Sequence, residues 1–232
     1  VRRLVGSEMC IRDRIDGVLF DLDGTLIDSF PDFLQSLKTL SIRGKETIIS
    51  EKNVRALVSD GSSKLINEVF GISELDADFF RLKKEFLLNY EKNILKYGGF
   101  FDGSEKLLRY LNKKKIPFGI VTNKPRKYTE IIINKNSLLA SSKITICCDD
   151  GIKSKPSPEG IIHACREMKV IPKNCLFLGD HDNDLRAALN AEVYFGACLF
   201  GYGFQNIVRS EKVKNFLSNE EIIKFIKEKN GS

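Results

Sequence analysis

Short unbroken apolar runs alternate along this chain with stretches in which apolar residues return every three or four positions. Ile15 and Val18 to Phe20 form the first run, which has the pattern of a strand buried on both faces. Similar runs fall at 116–121, 144–148, 175–178 and 193–200. Between them the spacing is helical. Leu107, Leu108 and Leu111 share one face, Pro125 starts a helix, Ser157-Pro158 opens another that runs to Met168, and a short helix covers 183–190. The last helix carries a capping box, Ser218 with Glu221, and turns Ile222, Ile223 and Ile226 inward. Strand–helix alternation predicts an α/β fold, a Rossmann-like parallel sheet flanked by helices.

One segment breaks the alternation. From 31 to 98 the pattern is helical throughout. Its apolar faces are Phe33, Leu34, Leu37 and Leu40; then Val54, Leu57 and Val58; then Leu65, Ile66, Val69 and Phe70; then Phe79, Phe80, Leu82, Phe86, Leu87 and Tyr90. Ser29-Phe30-Pro31 reads as the hinge into this segment and Gly98-Gly99 as a flexible joint out of it. The expectation is a core made of 15–30 and 99–232, with an all-helical cap domain at 31–98 inserted after strand 1.

Composition narrows the function classes. A chain of 232 residues with 42% hydrophobic and 29% charged residues is ordinary for a globular protein of one large domain, or a domain with an insert. No apolar run approaches bilayer length. The net charge of +6 comes from scattered lysines, not a basic stripe with aromatics, so neither a nucleic acid nor a membrane is the expected partner. Residues 1–14 hold four of the arginines and resemble a translated sequencing-adaptor remnant, so they are set aside as a non-native leader. The six cysteines lack zinc spacing and mostly lie in strand- or helix-like runs, as free thiols of a cytoplasmic protein do.

Chemistry gathers behind the strands. Asp21-Leu22-Asp23-Gly24-Thr25 follows the first, Thr122-Asn123 the second, Lys155 the third, and Asp180 with Asp184 the fourth. In a parallel sheet all these ends share one edge, so distant residues can converge. Each cluster also has a plainer reading. Asp-Gly and Thr-Asn are common strand exits, Lys153 competes with Lys155, and Asp182 competes with Asp184. His181 reads as a residue at the mouth of the site or on the surface. A phosphomonoester needs a nucleophile, an acid for the leaving group and positive charge on the phosphoryl oxygens. Asp21 and Asp23 can serve as the first two if their pKa values are pushed apart. Ligands that are all oxygens point to magnesium.

In this order the motifs resemble the haloacid dehalogenase-like superfamily, in particular its phosphoglycolate phosphatase-like members, whose helical cap follows the first motif. The resemblance covers roughly 15–203. It implies Asp21 as nucleophile and metal ligand, and Asp23 as acid/base and metal ligand through its backbone carbonyl. Thr122 and the amide of Asn123 would hold the phosphoryl group, and Lys155 would steady the nucleophile and help bind phosphate. Asp180 would bind Mg2+, with Asp184 supporting its water shell. The lysine directly before proline fits the pattern, which selects Lys155, and spacing from Asp180 selects Asp184. Where relatives often have Ala-Gly after the last motif's helix, this chain has Ala191-Glu192.

The stretch 58–64 resembles the family's cap loop that faces the active site. Ser59, Gly61 and Lys64 could read the leaving group there, or the stretch could be a solvated turn. The expected substrate is a small anionic phosphomonoester, first 2-phosphoglycolate. The segments Pro31-Asp32-Phe33 and Val58-Ser59-Asp60-Gly61 also resemble N-acetylmuramic acid 6-phosphate phosphatases. From another class, a non-catalytic relative that binds a phosphorylated ligand would be expected to lack a motif acid, and all are present. No Gly-x4-Gly-Lys-Ser/Thr nucleotide loop occurs. A monomer or a homodimer would both suit this reading.

Overall fold

The computed structural model describes residues 14–42, 45–46, 50–204, 206–209 and 212–231. The leader expected at 1–14 therefore lies outside the described residues except for Arg14, and so does Cys10.

The chain begins with β1 (Gly17–Phe20) and β2 (Ile27–Asp28), then enters the insert. The insert comprises α1 (Phe30–Lys38), a two-residue antiparallel pair of β3 (Ser41–Ile42) with β4 (Lys45–Glu46), α2 (Glu51–Leu57), α3 (Ser62–Phe70) and α4 (Phe79–Asn93). One tight helical turn at Val58–Asp60 links α2 to α3. After β5 (Gly99–Phe100) come α5 (Ser104–Lys114), β6 (Phe118–Val121), α6 (Arg126–Asn134), α7 (Ser137–Ala140) and β7 (Thr145–Ile146). The chain then forms α8 (Glu159–Met168), β8 (Cys175–Gly179), α9 (Asp182–Asn190), β9 (Tyr194–Cys198), β10 (Val213–Phe216) and α10 (Asn219–Asn230).

The main sheet has six parallel strands in the order β10-β9-β8-β1-β6-β7. β1 is central and fully buried, paired to β8 on one side and β6 on the other. Side chains alternate across it. Val18, Phe20, Phe118, Ile120, Leu176 and Leu178 join Leu107 and Leu111 of α5 and Ile222 and Ile226 of α10 in one core. Leu19, Phe177 and Phe195 face the other way, against Ile161 and Ala164 of α8 and Ala187 and Ala188 of α9. Helices on both faces explain why the strands read as unbroken apolar runs.

Several local features differ from what the sequence pattern predicts, and the first is that the insert, expected to be all-helical, carries the short antiparallel β3–β4 pair between α1 and α2. Gly99 belongs to a hydrogen-bonded ladder, with Ile27 opposite Phe100 and Asp28 opposite Gly99, where a flexible joint was expected. Buried Asp32 reinforces that joint by accepting hydrogen bonds from the backbone N–H groups of Leu95 (2.7 Å), Tyr97 (2.9 Å) and Gly98 (3.1 Å). A carboxylate in the first turn of α1 thus ties the chain entering the insert to the chain leaving it. The edge strand β10 also went unread, because its four residues include Lys214 and Asn215 and pair on one side only. Phe80 is 69% exposed, because one helical step turns it away from its buried neighbour Phe79.

Candidate active site

All the candidate motifs meet at the carboxyl edge of the sheet. From β1 the chain extends outward in one direction through β6 and β7, then returns to lay β8 on the other side, so the end of β1 is a topological switch point. Asp21 follows β1 directly, and its backbone N–H donates to Leu178 O of β8 (2.8 Å). Gly24 adopts φ +85° beside it, and a Cβ there would lie 2.3 Å from Asp180 Oδ2. Only glycine lets the loop after β1 close onto the acid that follows β8.

Asp21, Asp180 and Asp184 are all buried, and each can place a carboxylate oxygen within 4.8 Å of the others. Lys155 Nζ is 2.7 Å from Asp21 Oδ1 and 2.6 Å from Asp184 Oδ1. Asp184 Oδ2 accepts the N–H of His181 (3.1 Å) at the start of α9. Asp180 Oδ2 accepts from the backbone N–H groups of Tyr202 (2.9 Å) and Gly203 (3.2 Å), and Thr25 Oγ1 donates to Asp180 Oδ1 (3.4 Å). The competing residues point elsewhere. Lys153 pairs with Glu159 and Asp182 with Arg186, both on the surface.

Three buried carboxylates against one lysine leave uncompensated negative charge. Burial, with Asp184 adding repulsion, raises Asp21 to about 7 although Lys155 opposes the shift. Burial raises Asp180 to about 8, with repulsion from Asp184 and Asp21 added; the backbone N–H groups of Tyr202 and Gly203 pull it back only in part. Burial works against the Lys155 charge as well, yet Asp184 and Asp21 outweigh it and hold that ammonium up at about 12. An all-oxygen donor set with excess negative charge fits a hard divalent cation.

Thr122 is buried at the end of β6, and its Oγ1 accepts the N–H of Lys124 (3.1 Å). The Asn123 side chain takes an unforeseen part. Its Nδ2 donates to Lys155 O (2.9 Å) and its Oδ1 accepts from Lys155 N (3.0 Å), so it locks the backbone that presents Lys155.

Asp23 stands apart from the buried cluster, at the floor of a cavity of about 510 Å³ between the insert and the sheet edge. Its Oδ2 accepts from Lys124 Nζ (2.7 Å), while its Oδ1 has no partner among the described residues. Lys124 is a residue that sequence reasoning missed; its position next to Thr122-Asn123 was the available signal. The loop at 58–64 caps the cavity. Ser59 Oγ donates to Asp180 Oδ2 (3.4 Å), and Ser59 and Gly61 both line the space. Lys64 is exposed outside the lining and pairs with Asp60 (2.9 Å), whose other oxygen is 3.5 Å from His181 Nε2. Among the described residues the cations that line the cavity are Lys83 and Lys124.

The family profile of haloacid dehalogenase-like hydrolases matches residues 18–198. An N-acetylmuramic acid 6-phosphate phosphatase of Pseudomonas aeruginosa is 32% identical over 191 residues, covering 82% of this chain and 84% of that protein. A phosphoglycolate phosphatase of Xylella fastidiosa is 35% identical over 187 residues, covering 80% of each. A crystal structure described as a predicted phosphoglycolate phosphatase from Haemophilus somnus superposes with a TM-score of 0.77 at 25% identity, covering 91% of this chain and 97% of that one. With sheet order, site and profile in agreement, the chain belongs to the haloacid dehalogenase-like hydrolases.

Proposed function

We propose that this chain is a magnesium-dependent phosphomonoester hydrolase working through an aspartyl-phosphate. The observation that carries this reading is the buried Asp21–Lys155–Asp184–Asp180 cluster, of which Asp21 lines the same cavity as Asp23. Two carboxylates in adjacent but unlike settings suit a nucleophile and an acid/base.

Asp21, anchored by Lys155, attacks phosphorus as the bond to the leaving oxygen breaks. Asp23 gives its proton to that oxygen through Oδ1, the atom with no partner among the described residues. In the second step Asp23 takes a proton from water as the water attacks phosphorus, which releases inorganic phosphate and restores Asp21. Thr122 and the backbone at Asn123 hold the phosphoryl oxygens. Asp21, Asp180 and the Asp23 carbonyl, with Asp184 in support, would hold Mg2+, which supplies positive charge at the phosphoryl oxygens and keeps the carboxylates ionised.

The names carried by relatives supply two substrate candidates, 2-phosphoglycolate and N-acetylmuramic acid 6-phosphate. The motifs by resemblance put 2-phosphoglycolate first. The cavity favours the larger ester, because about 510 Å³ lies within the range that holds whole drug-sized ligands and far exceeds a two-carbon leaving group. The test is phosphate release from both compounds with magnesium. Release that stops with EDTA and with Asp21→Asn is expected, and no release from any phosphomonoester by folded, magnesium-loaded protein would overturn the reading.

A further inference from the structure

The two buried lysines of the site face different surroundings. Lys155 is enclosed by Asp21 and Asp184 and does not line the large cavity. Lys124 does line it. Its ammonium lies 4.6 Å from the centroid of the Tyr90 ring and 5.3 Å from that of Phe33, both side chains of the insert. Among the described residues its one hydrogen bond goes to Asp23 Oδ2, and an ammonium has N–H groups to spare. Rings with their faces to a cation hold it by their quadrupole and offer it no lone pair.

Tyr90 adds a second, independent observation. Its side chain is 2% exposed, it lines the cavity, and its hydroxyl has no hydrogen-bond partner among the described residues. Burial keeps that phenol protonated, well above its ordinary pKa. A buried donor without a partner is costly unless a ligand provides one. Around it, Phe33, Phe86, Leu87 and Tyr128 make an apolar wall, with Phe33 and Tyr90 rings 4.4 Å apart. Such a wall suits the C–H face of a sugar-sized ring.

We propose that Lys124 and Tyr90 form the leaving-group subsite and select phosphomonoesters whose alcohol is a ring bearing a carboxylate. Lys124 binds that carboxylate from the same ammonium that now meets Asp23. The Tyr90 hydroxyl donates to a ring substituent, and the aromatic wall packs on the ring face. Both residues act on specificity, and no bond is made or broken at either. The proposal rests on the phosphatase reading and refines it from an anionic metabolite to an acidic, ring-bearing one.

A matched pair of substrates tests it. N-acetylmuramic acid 6-phosphate and N-acetylglucosamine 6-phosphate share the ring and the phosphate, and only the first carries the carboxylate. With magnesium, kcat/KM should favour the acid by about 10- to 100-fold, the worth of one charge-assisted hydrogen bond. Lys124→Met should bring the ratio of the two close to one, with the larger change in KM of the acid, while Lys124→Arg preserves a preference. Tyr90→Phe should lower kcat/KM for both ring substrates relative to acetyl phosphate, which has no ring. Equal turnover of the pair by the native protein, or an equal fall for both in Lys124→Met with the ratio kept, would overturn the proposal; the latter would mean that Lys124 serves Asp23 alone. Failure of the phosphatase reading looks different, since acetyl phosphate would then not be turned over either. In that event, calorimetric binding of the two sugar phosphates to the protein still decides the subsite: equal affinities reject it, and tighter binding of the acid that Lys124→Met abolishes supports it.

Discussion

At the scale of single residues, buried charge dominates. Asp21 is raised to about 7 and Asp180 to about 8, because burial and repulsion from neighbouring carboxylates outweigh Lys155 at the first and two backbone N–H groups at the second. Both values lie above those of an unfolded carboxylate. Their protonated forms therefore favour the folded state at low pH, and that contribution is lost as pH rises through about 7 to 8. Without divalent cations, the melting temperature should fall between about pH 6 and about pH 8.5. Magnesium should raise it more at the higher pH, because a cation binds the ionised cluster and not the protonated one. Thermal melts at the two pH values, with and without magnesium, check this; a gain that is equal at both would count against the cluster as the cation site.

At the scale of elements, two joints can be tested. α9 ends at Asn190 with Ala191 as its cap, and Glu192 takes φ +58°, the left-handed conformation that the missing glycine would adopt without strain. Glu192→Gly should stabilise the protein by about 1 kcal/mol in urea titrations, with activity unchanged, since the side chain is exposed and distant from the site. Asp32 holds three backbone N–H groups where the chain leaves α4. Asp32→Ala strips all of them at once, and a cost of about 2–4 kcal/mol is expected, with faster amide exchange at Leu95, Tyr97 and Gly98. Both joints lie outside the catalytic motifs. Sequence pattern exposed the first as a departure from its relatives, while the second shows only when α1 and the end of α4 meet in space.

At the scale of the whole molecule, the insert meets the sheet edge through Phe33 and Tyr90, which pack against Lys124 and Tyr128, and through a few longer polar contacts. Ser59 reaches Asp180 at 3.4 Å and Asp60 reaches His181 at 3.5 Å. Lys127 of α6 pairs with Glu91 of α4 at the surface, an exposed pair worth about 1 kcal/mol or less. The β2–β5 ladder and Asp32, by contrast, bind the two connections firmly. The closed arrangement should therefore open at the 58–64 loop and pivot near the ladder. Hydrogen exchange should run faster at 58–64 than at 27–28 and 99–100. Magnesium with orthophosphate should slow it at 58–64 and leave α5 unchanged; no change at 58–64 would argue against closure over the site.

The amino-acid sequence by itself determined the parallel α/β core, the helical insert and the carboxylates behind the strands. Each of these follows from local regularities, namely burial on both faces of a strand, the helical repeat and the short motifs at strand ends. The family resemblance then singled out Lys155 over Lys153 and Asp184 over Asp182; in the structure Lys155 is buried against Asp21 and Asp184 is buried against Lys155, while Lys153 and Asp182 pair with Glu159 and Arg186 at the surface. Tertiary structure alone decided what surrounds them. Lys124 was one more lysine in a chain rich in them until β6 brought it to Asp23 and α1 and α4 set Phe33 and Tyr90 against it. Tyr90 read as one more apolar position of an amphipathic helix, since periodicity records which face is buried and not whether its hydroxyl finds a partner. Lys64 looked poised for a substrate in the linear order, yet its own helical turn directs it to Asp60. Elements are local and show in the pattern of residues; the lining of a cavity joins side chains far apart in the chain, and only packing brings them together.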